Sequence, residues 1–275
     1  MIIAYALWMV GLLSAIALSL LAMGSTSRHL SHHTLTATRN DAAIEAAIAR
    51  AVLALVDPRP DKRWRVDGVP HDFSFSGQKM QVAIQDELGR IDLNHADQSL
   101  LAGLLQSAGV ETAPARALVD KLLDWREPLP GKRVNGANEA DYRAAGFAYR
   151  PRGGPLQSVE ELKLVMGITP ALYSRIEPAV TVYSGRRFID PQFAPREALA
   201  AVASINSSAA ASVLEARRHQ GARAGIIDPP VTVAGRAFGI KVNLVDGATR
   251  LTREIVIRIT DNPAQPYWIL NWRTK

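Results

Sequence analysis

The sequence contains no cysteine, and no charged side chain before Arg28. The first absence excludes disulfides and every metal or redox centre built on thiolates. The second leaves residues 2–23 as Leu, Ile, Ala, Val, Met, Tyr and Trp, relieved only by Gly and Ser. At ~1.5 Å per residue, such a helix spans roughly the ~30 Å hydrocarbon core of a bilayer, so this segment is expected to be a membrane anchor. It lacks the basic start of a secretory signal peptide, and the helical pattern runs on past the apolar segment without a break. No acidic residue occurs before Asp41. Gly-x-Ser-x-Gly, His-Glu-x-x-His and P-loop patterns are all missing, and His29, His32 and His33 cluster with no acidic partner following. No catalysis is therefore expected.

What is present begins with a long helix. Thr34 to Val56 is rich in Ala and Leu and free of Gly and Pro. Ile44, Ile48, Val52 and Leu55 recur on one helical face. Asp57-Pro58 ends the run, because a residue before proline is driven out of the α region. A rod from Ile2 to Val56 would be on the order of 80 Å long, half in lipid and half packed by one face on a soluble domain.

The 275 residues leave room for two domains beyond the anchor. A net charge of +6 and a pI near 9.8 permit attraction to nucleic acid or anionic lipid without establishing either. Strand patterning appears at Gln78 to Ile84, then not again until Phe238, Ile240, Val242 and Leu244, followed by Ile255, Ile257 and Ile259 and by Tyr267 to Trp272. Isolated hairpins are marginal, so these distant strands are expected to share one antiparallel sheet against the rod. The predicted architecture is α+β, with residues 1–57 as anchor and rod, 58–86 and 231–275 as the sheet, and 87–230 as a helical insertion.

The insertion repeats itself. Ile91-Asp92 followed by Ala96 and Leu101 matches Ile189-Asp190 followed by Ala194 and Leu199, each expected to open an amphipathic helix. Ser158 and Glu161 have capping-box spacing, and a further helix is predicted near Thr169-Pro170 after the turn at Gly167. Short helices joined by a glycine turn suggest helix-hairpin-helix or SAM-like units.

Five segments carry a family resemblance: Asp86 to Asp97, Leu122 to Glu127, Asn135 to Tyr142, Gln157 to Ser184 and Ala194 to Glu197, with the closing ILNWR. They resemble type II secretion system protein K, the large minor pseudopilin. The resemblance implies a pseudopilin fold with an α-helical insertion, anchored in the inner membrane with its bulk in the periplasm. It implies a place at the pseudopilus tip beside minor pseudopilins I and J, then H and the major pseudopilin. Prepilin peptidase is a further partner if a leader lies upstream, since no Lys or Arg precedes the apolar segment here. Pilins usually carry an early glutamate that pairs with the terminal amine of the neighbouring subunit. A tip subunit has no subunit ahead of it, in keeping with the lack of acids before Asp41. For partner rods, the expected contact face is Ile44, Ile48, Val52 and Leu55.

The resemblance also implies a calcium site, with Asp124, Glu127, Asn138, Glu139 and Asp141 as candidate ligands beside loop carbonyls. Calcium takes six to eight oxygens on a flexible loop. Arg126 to Gly131 stands where the family loop has more aspartates, which weakens that expectation. The alternative function is an anchored helix-hairpin-helix DNA-uptake protein. Met166-Gly167-Ile168-Thr169 lacks the second glycine of a phosphate-binding hairpin, and no nucleic acid is expected as a partner.

Overall fold

A computed structural model describes residues 36–128, 130–220, 225–227, 232–246 and 249–274, together with positions 8, 9 and 14. Apart from those three positions, the apolar segment 2–23 lies outside the described residues, as do His29, His32 and His33. No helix among the described residues is long and apolar enough to cross a membrane.

Helix α1 occupies residues 36–56 and stops at Asp57-Pro58 as expected. Its apolar face buries Ala43, Ile44, Ala47, Ile48, Ala51, Val52 and Leu55 against a five-stranded antiparallel sheet. The sheet order is β1 (Asp67–Phe75), β2 (Gln78–Asp86), β5 (Ala237–Asp246), β6 (Thr249–Ile259) and β7 (Tyr267–Thr274). Strand β2 pairs directly with β5, placing Met80, Val82 and Ile84 opposite Leu244, Val242 and Ile240. Ile240 in turn faces Ile255 on β6, so period-2 alternation puts one row of branched side chains under α1.

Strand β1 went unread in the sequence. It is an edge strand, mostly exposed, with Pro70 just beyond an irregular register at Asp67, where a missing N–H costs no ladder bond. Ser76 and Gly77 turn it into β2 with φ of 49° and 79°, the two positive values of a type I′ hairpin.

Between β2 and β5 the described residues contribute no strand to this sheet. They pack a second, leucine-rich core from α2 (Gln98–Ser107), α3 (Thr112–Arg126), α4 (Glu139–Ala144), α5 (Pro170–Ile176) and α6 (Arg196–Ile205), followed by α7 (Ser207–Gln220). The repeated positions Ile91, Ala96, Leu101, Ile189, Ala194 and Leu199 all lie in this core. They do not open helices directly. Ile91-Asp92 is instead strand β3 (Ile91–Asp92), pairing in parallel with β4 (Val180–Thr181). Helix α2 starts only after the Asp97 cap, and α6 only after Pro195. The two helices pack closely at Gly103, where a Cβ would lie 2.6 Å from the Ala201 carbonyl.

The two cores meet at a polar joint. Buried Asp86 accepts from the Arg236 guanidinium, and Gln85 donates to the Phe193 carbonyl at 2.7 Å. Arg273 on β7 reaches Glu160 at 2.5 Å and Glu177 at 3.2 Å in the insertion. Phe193 and Ile227, though within the inserted chain, belong to the sheet core.

Candidate functional site

The site begins at the C-terminal end of α3. Arg126 anchors that end by donating to the carbonyls of Leu93 at 2.6 Å and Ala96 at 3.2 Å. The preceding turn then directs Asp124 inward and Trp125 into the core. Beyond it, residues 130–138 loop back over Asp124, and Gly136 approaches so closely that a Cβ there would overlap the carboxylate.

Four of the five candidate ligands line one cavity of about 280 Å³: Asp124, Glu127, Asn138 and Glu139. Each already has a partner. Asp124 accepts from the Arg133 backbone N–H at 3.1 Å and from its Nη1 at 2.8 Å, while Nη2 of the same guanidinium meets Glu127. Asp141 turns away to Lys132 Nζ, at 2.7 and 2.8 Å to its two oxygens, and closes a capping box with Asn138 at the start of α4. Glu139 takes Arg143 at 2.6 Å and Arg150 at 3.3 Å. Burial alone would raise Glu127, but its bonds to Arg133 and Arg126 outweigh that and hold it below the usual carboxylate range. The Lys132 bond and the Asn138 N–H likewise lower Asp141.

This donor set does not fit a calcium ion. A divalent cation needs unpaired oxygens converging on one point, whereas a guanidinium lies between Asp124 and Glu127 and the Asp141 carboxylate is turned to an ammonium. Among the described residues, no group of three or more His, Asp or Glu side chains could hold a metal. Arg133 and Lys132 were the residues that sequence reasoning missed. Two adjacent cations between Glu127 and the acidic Glu139–Asp141 segment were the available signal.

The predicted capping box at Ser158 is also corrected. Val159–Leu164 is a 3₁₀ helix whose Ser158 makes no side-chain cap bond. Glu161 instead accepts from Trp125 Nε1 at 3.0 Å, from Gln157 N–H at 2.9 Å and from Arg152, tying α3 to the following chain. The helix near Thr169-Pro170 does form, with Thr169 capping Leu172 N–H at 3.2 Å. Around the Gly167 hairpin, Met166 N–H donates to the Tyr142 hydroxyl and Ile168 N–H to the Val165 carbonyl. Those donors are used internally, not offered to phosphate.

The expected partner face needs correcting as well. Ile44, Ile48, Val52 and Leu55 are buried in this chain's own core, so they cannot also face another subunit. Periodicity showed that the face is covered, but not by what. The outward side of α1 presents Ala42, Ala46, Ala49, Leu53 and Val56 at alternating four- and three-residue spacing, with Leu53 62% exposed.

Against known proteins, the family model described as type II secretion system (T2SS), protein K matches residues 82–185, from the middle of β2 to just beyond β4. Those residues are similar to the protein K family over that span. Protein K of Klebsiella pneumoniae is 40% identical over 81 residues, 28% of this chain and 24% of the relative. Protein K of Pseudomonas aeruginosa is 26% identical over 155 residues, 53% of this chain and 46% of the relative. The alignments thus span less than half the length of these curated relatives. In fold, the chain is similar to one in the crystal structure of the GspK-GspI-GspJ complex from enterotoxigenic Escherichia coli. The TM-score is 0.62 at 15% identity, covering 90% of this chain and 99% of that one. These matches do not support the DNA-uptake alternative.

Proposed function

We propose that this chain is a minor pseudopilin of the type II secretion system, a structural and assembly protein without catalysis, seated at the pseudopilus tip. The observation that carries the reading is the splice itself: a segment similar to the protein K family starts within β2, and β2 pairs with β5 in a sheet backed by one long helix. In this reading residues 1–57 form an inner-membrane anchor in lipid and its rod, 58–86 and 231–275 the pseudopilin sheet, and 87–230 a SAM-like insertion, all but the anchor periplasmic. Its partners are minor pseudopilins I and J, then H and the major pseudopilin.

The outward seam of α1 is the surface we assign to a partner rod. Small residues at Ala42, Ala46 and Ala49 let a second helix approach closely, and Leu53 and Val56 supply apolar area beside them. Co-purification of the full chain in detergent with minor pseudopilins I and J tests the reading. Stable capture of both is expected. If neither binds while duplex DNA does, the DNA-uptake alternative replaces it.

A further inference from the structure

The loop after α3 holds a cation site that the chain fills with its own side chain. We propose that the Arg133 guanidinium is a built-in replacement for a divalent metal, so that residues 124–141 fold and stay folded without calcium. Three observations converge on it. The guanidinium bridges two carboxylates, Asp124 and Glu127, through separate nitrogens, and the Arg133 backbone N–H also donates to Asp124. The Asp124 side chain is 4% exposed, so its charge needs a fixed counter-ion in place. Lys132, the neighbouring residue, neutralises Asp141 with both oxygens engaged and so removes a third candidate ligand.

The chemistry favours an arginine in this position. A planar guanidinium offers donors in a fixed fork, stays charged at all relevant pH, and is more weakly hydrated than an ammonium or a small divalent ion. A flexible loop can be closed by any cation that links its two ends. Here the link runs from α3, through Asp124 and Glu127, to the loop residue Arg133 that precedes the α4 cap. An internal cation costs no binding equilibrium, so loop order does not depend on free metal concentration. The inference concerns this loop alone and does not depend on where the chain sits in a secretion machine.

The test is a calcium chloride titration of the full chain in detergent, read by calorimetry and by melting temperature, with EGTA as the metal-free control. The unmodified chain should show no saturable heat and the same melting temperature in millimolar calcium and in chelator, because any ligand that binds the native state alone must raise it. Arg133→Ala should melt lower than wild type in chelator and recover part of the loss in calcium, since it frees two adjacent carboxylates. Micromolar calcium binding by the unmodified chain, or a fall in its melting temperature on chelation, overturns the proposal. So does an Arg133→Ala chain that melts at the wild-type temperature or ignores calcium. The titration of the unmodified chain decides the question even where that variant does not fold.

Discussion

The sheet unit and the insertion are stabilised in different ways. Under α1 the core is a continuous layer of Val82, Ile84, Ile240, Val242, Leu244, Ile255 and Ile257, with ladder hydrogen bonds running beside it. The insertion has short helices and long connections around a leucine core, and its loops are fastened by charge: Arg133 on Asp124 and Glu127, Arg152 on Glu161, Lys132 on Asp141. Apolar burial is indifferent to pH and salt to first order, whereas ion pairs are sensitive to both. The comparison teaches that one chain carries two responses to its surroundings, joined at Asp86, Phe193 and Arg273.

The joint is where that contrast is most easily broken. Phe193→Ala should cost about 3–5 kcal/mol in chemical denaturation, the usual loss for a buried ring. The sheet unit should lose stability even though Phe193 lies in inserted chain. For the same reason, replacing Gly89 to Pro229 by a linker removes Phe193 and Ile227 from the sheet core and should leave a weakened sheet unit, although loop length itself costs little. A deletion chain as stable as the whole would show the two cores to be independent.

Next in size is Arg273→Ala, which removes the cation shared by Glu160, Glu177 and Glu254 at the second joint. Its side chain is 17% exposed, so the loss should be roughly 1–3 kcal/mol, below that of a fully buried pair. Glu160→Gln in the same background should recover part of it, because one of the three neighbouring carboxylate charges is then gone.

Acid sharpens the contrast. In Glu127 and Glu161 burial would raise the carboxyl, but arginine and N–H partners outweigh it and hold it low. In Asp141 the Lys132 bond does so directly. Their unfolded forms bind protons more readily, so this stabilisation is present above the ordinary carboxylate range and is lost as pH falls through the folded values. Asp86 runs the other way. Burial pushes it from 3.8 up to about 6 despite Arg236. Its contribution is therefore full below about pH 3.8 and lost as pH rises through about 6. Hydrogen exchange mapped by segment at neutral pH and at a pH below the ordinary carboxylate range should show the 124–161 region loosening first on acidification, while β2 and β5 hold.

The smallest effect belongs to the surface. Glu139→Ala removes exposed pairs to Arg143 and Arg150 and should shift stability by no more than about 0.5 kcal/mol.

Much of the sheet unit was legible because its signals are periodic. Helix α1 showed a 3.6-residue repeat with a proline stop, and β2, β5, β6 and β7 showed alternation. The protein K resemblance at Asp86 to Ser184 was legible as motifs in order. Strand β1 was not, because an exposed edge strand has little apolar pattern to read. Neither was the 91–92 and 180–181 ladder, whose two residues per strand are too few for any period. At the loop, the acidic residues stood out by type, but which cation met them depended on how residues nine apart fold together. An amphipathic face likewise announces burial and not its occupant, which is why Ile44 and Leu55 were assigned outward and Leu53 was overlooked.

Because the chain has no cysteine, a single introduced thiol reports one position without background. The most direct test of the account is disulfide cross-linking of full-length Leu53→Cys to minor pseudopilins I and J carrying single cysteines along their own rods. The account predicts a cross-link to at least one partner from Leu53, which points outward from α1, and none from Ile48→Cys, whose side chain lies under the sheet. Cross-linking from position 48, or from neither position while the partners still co-purify, would contradict it.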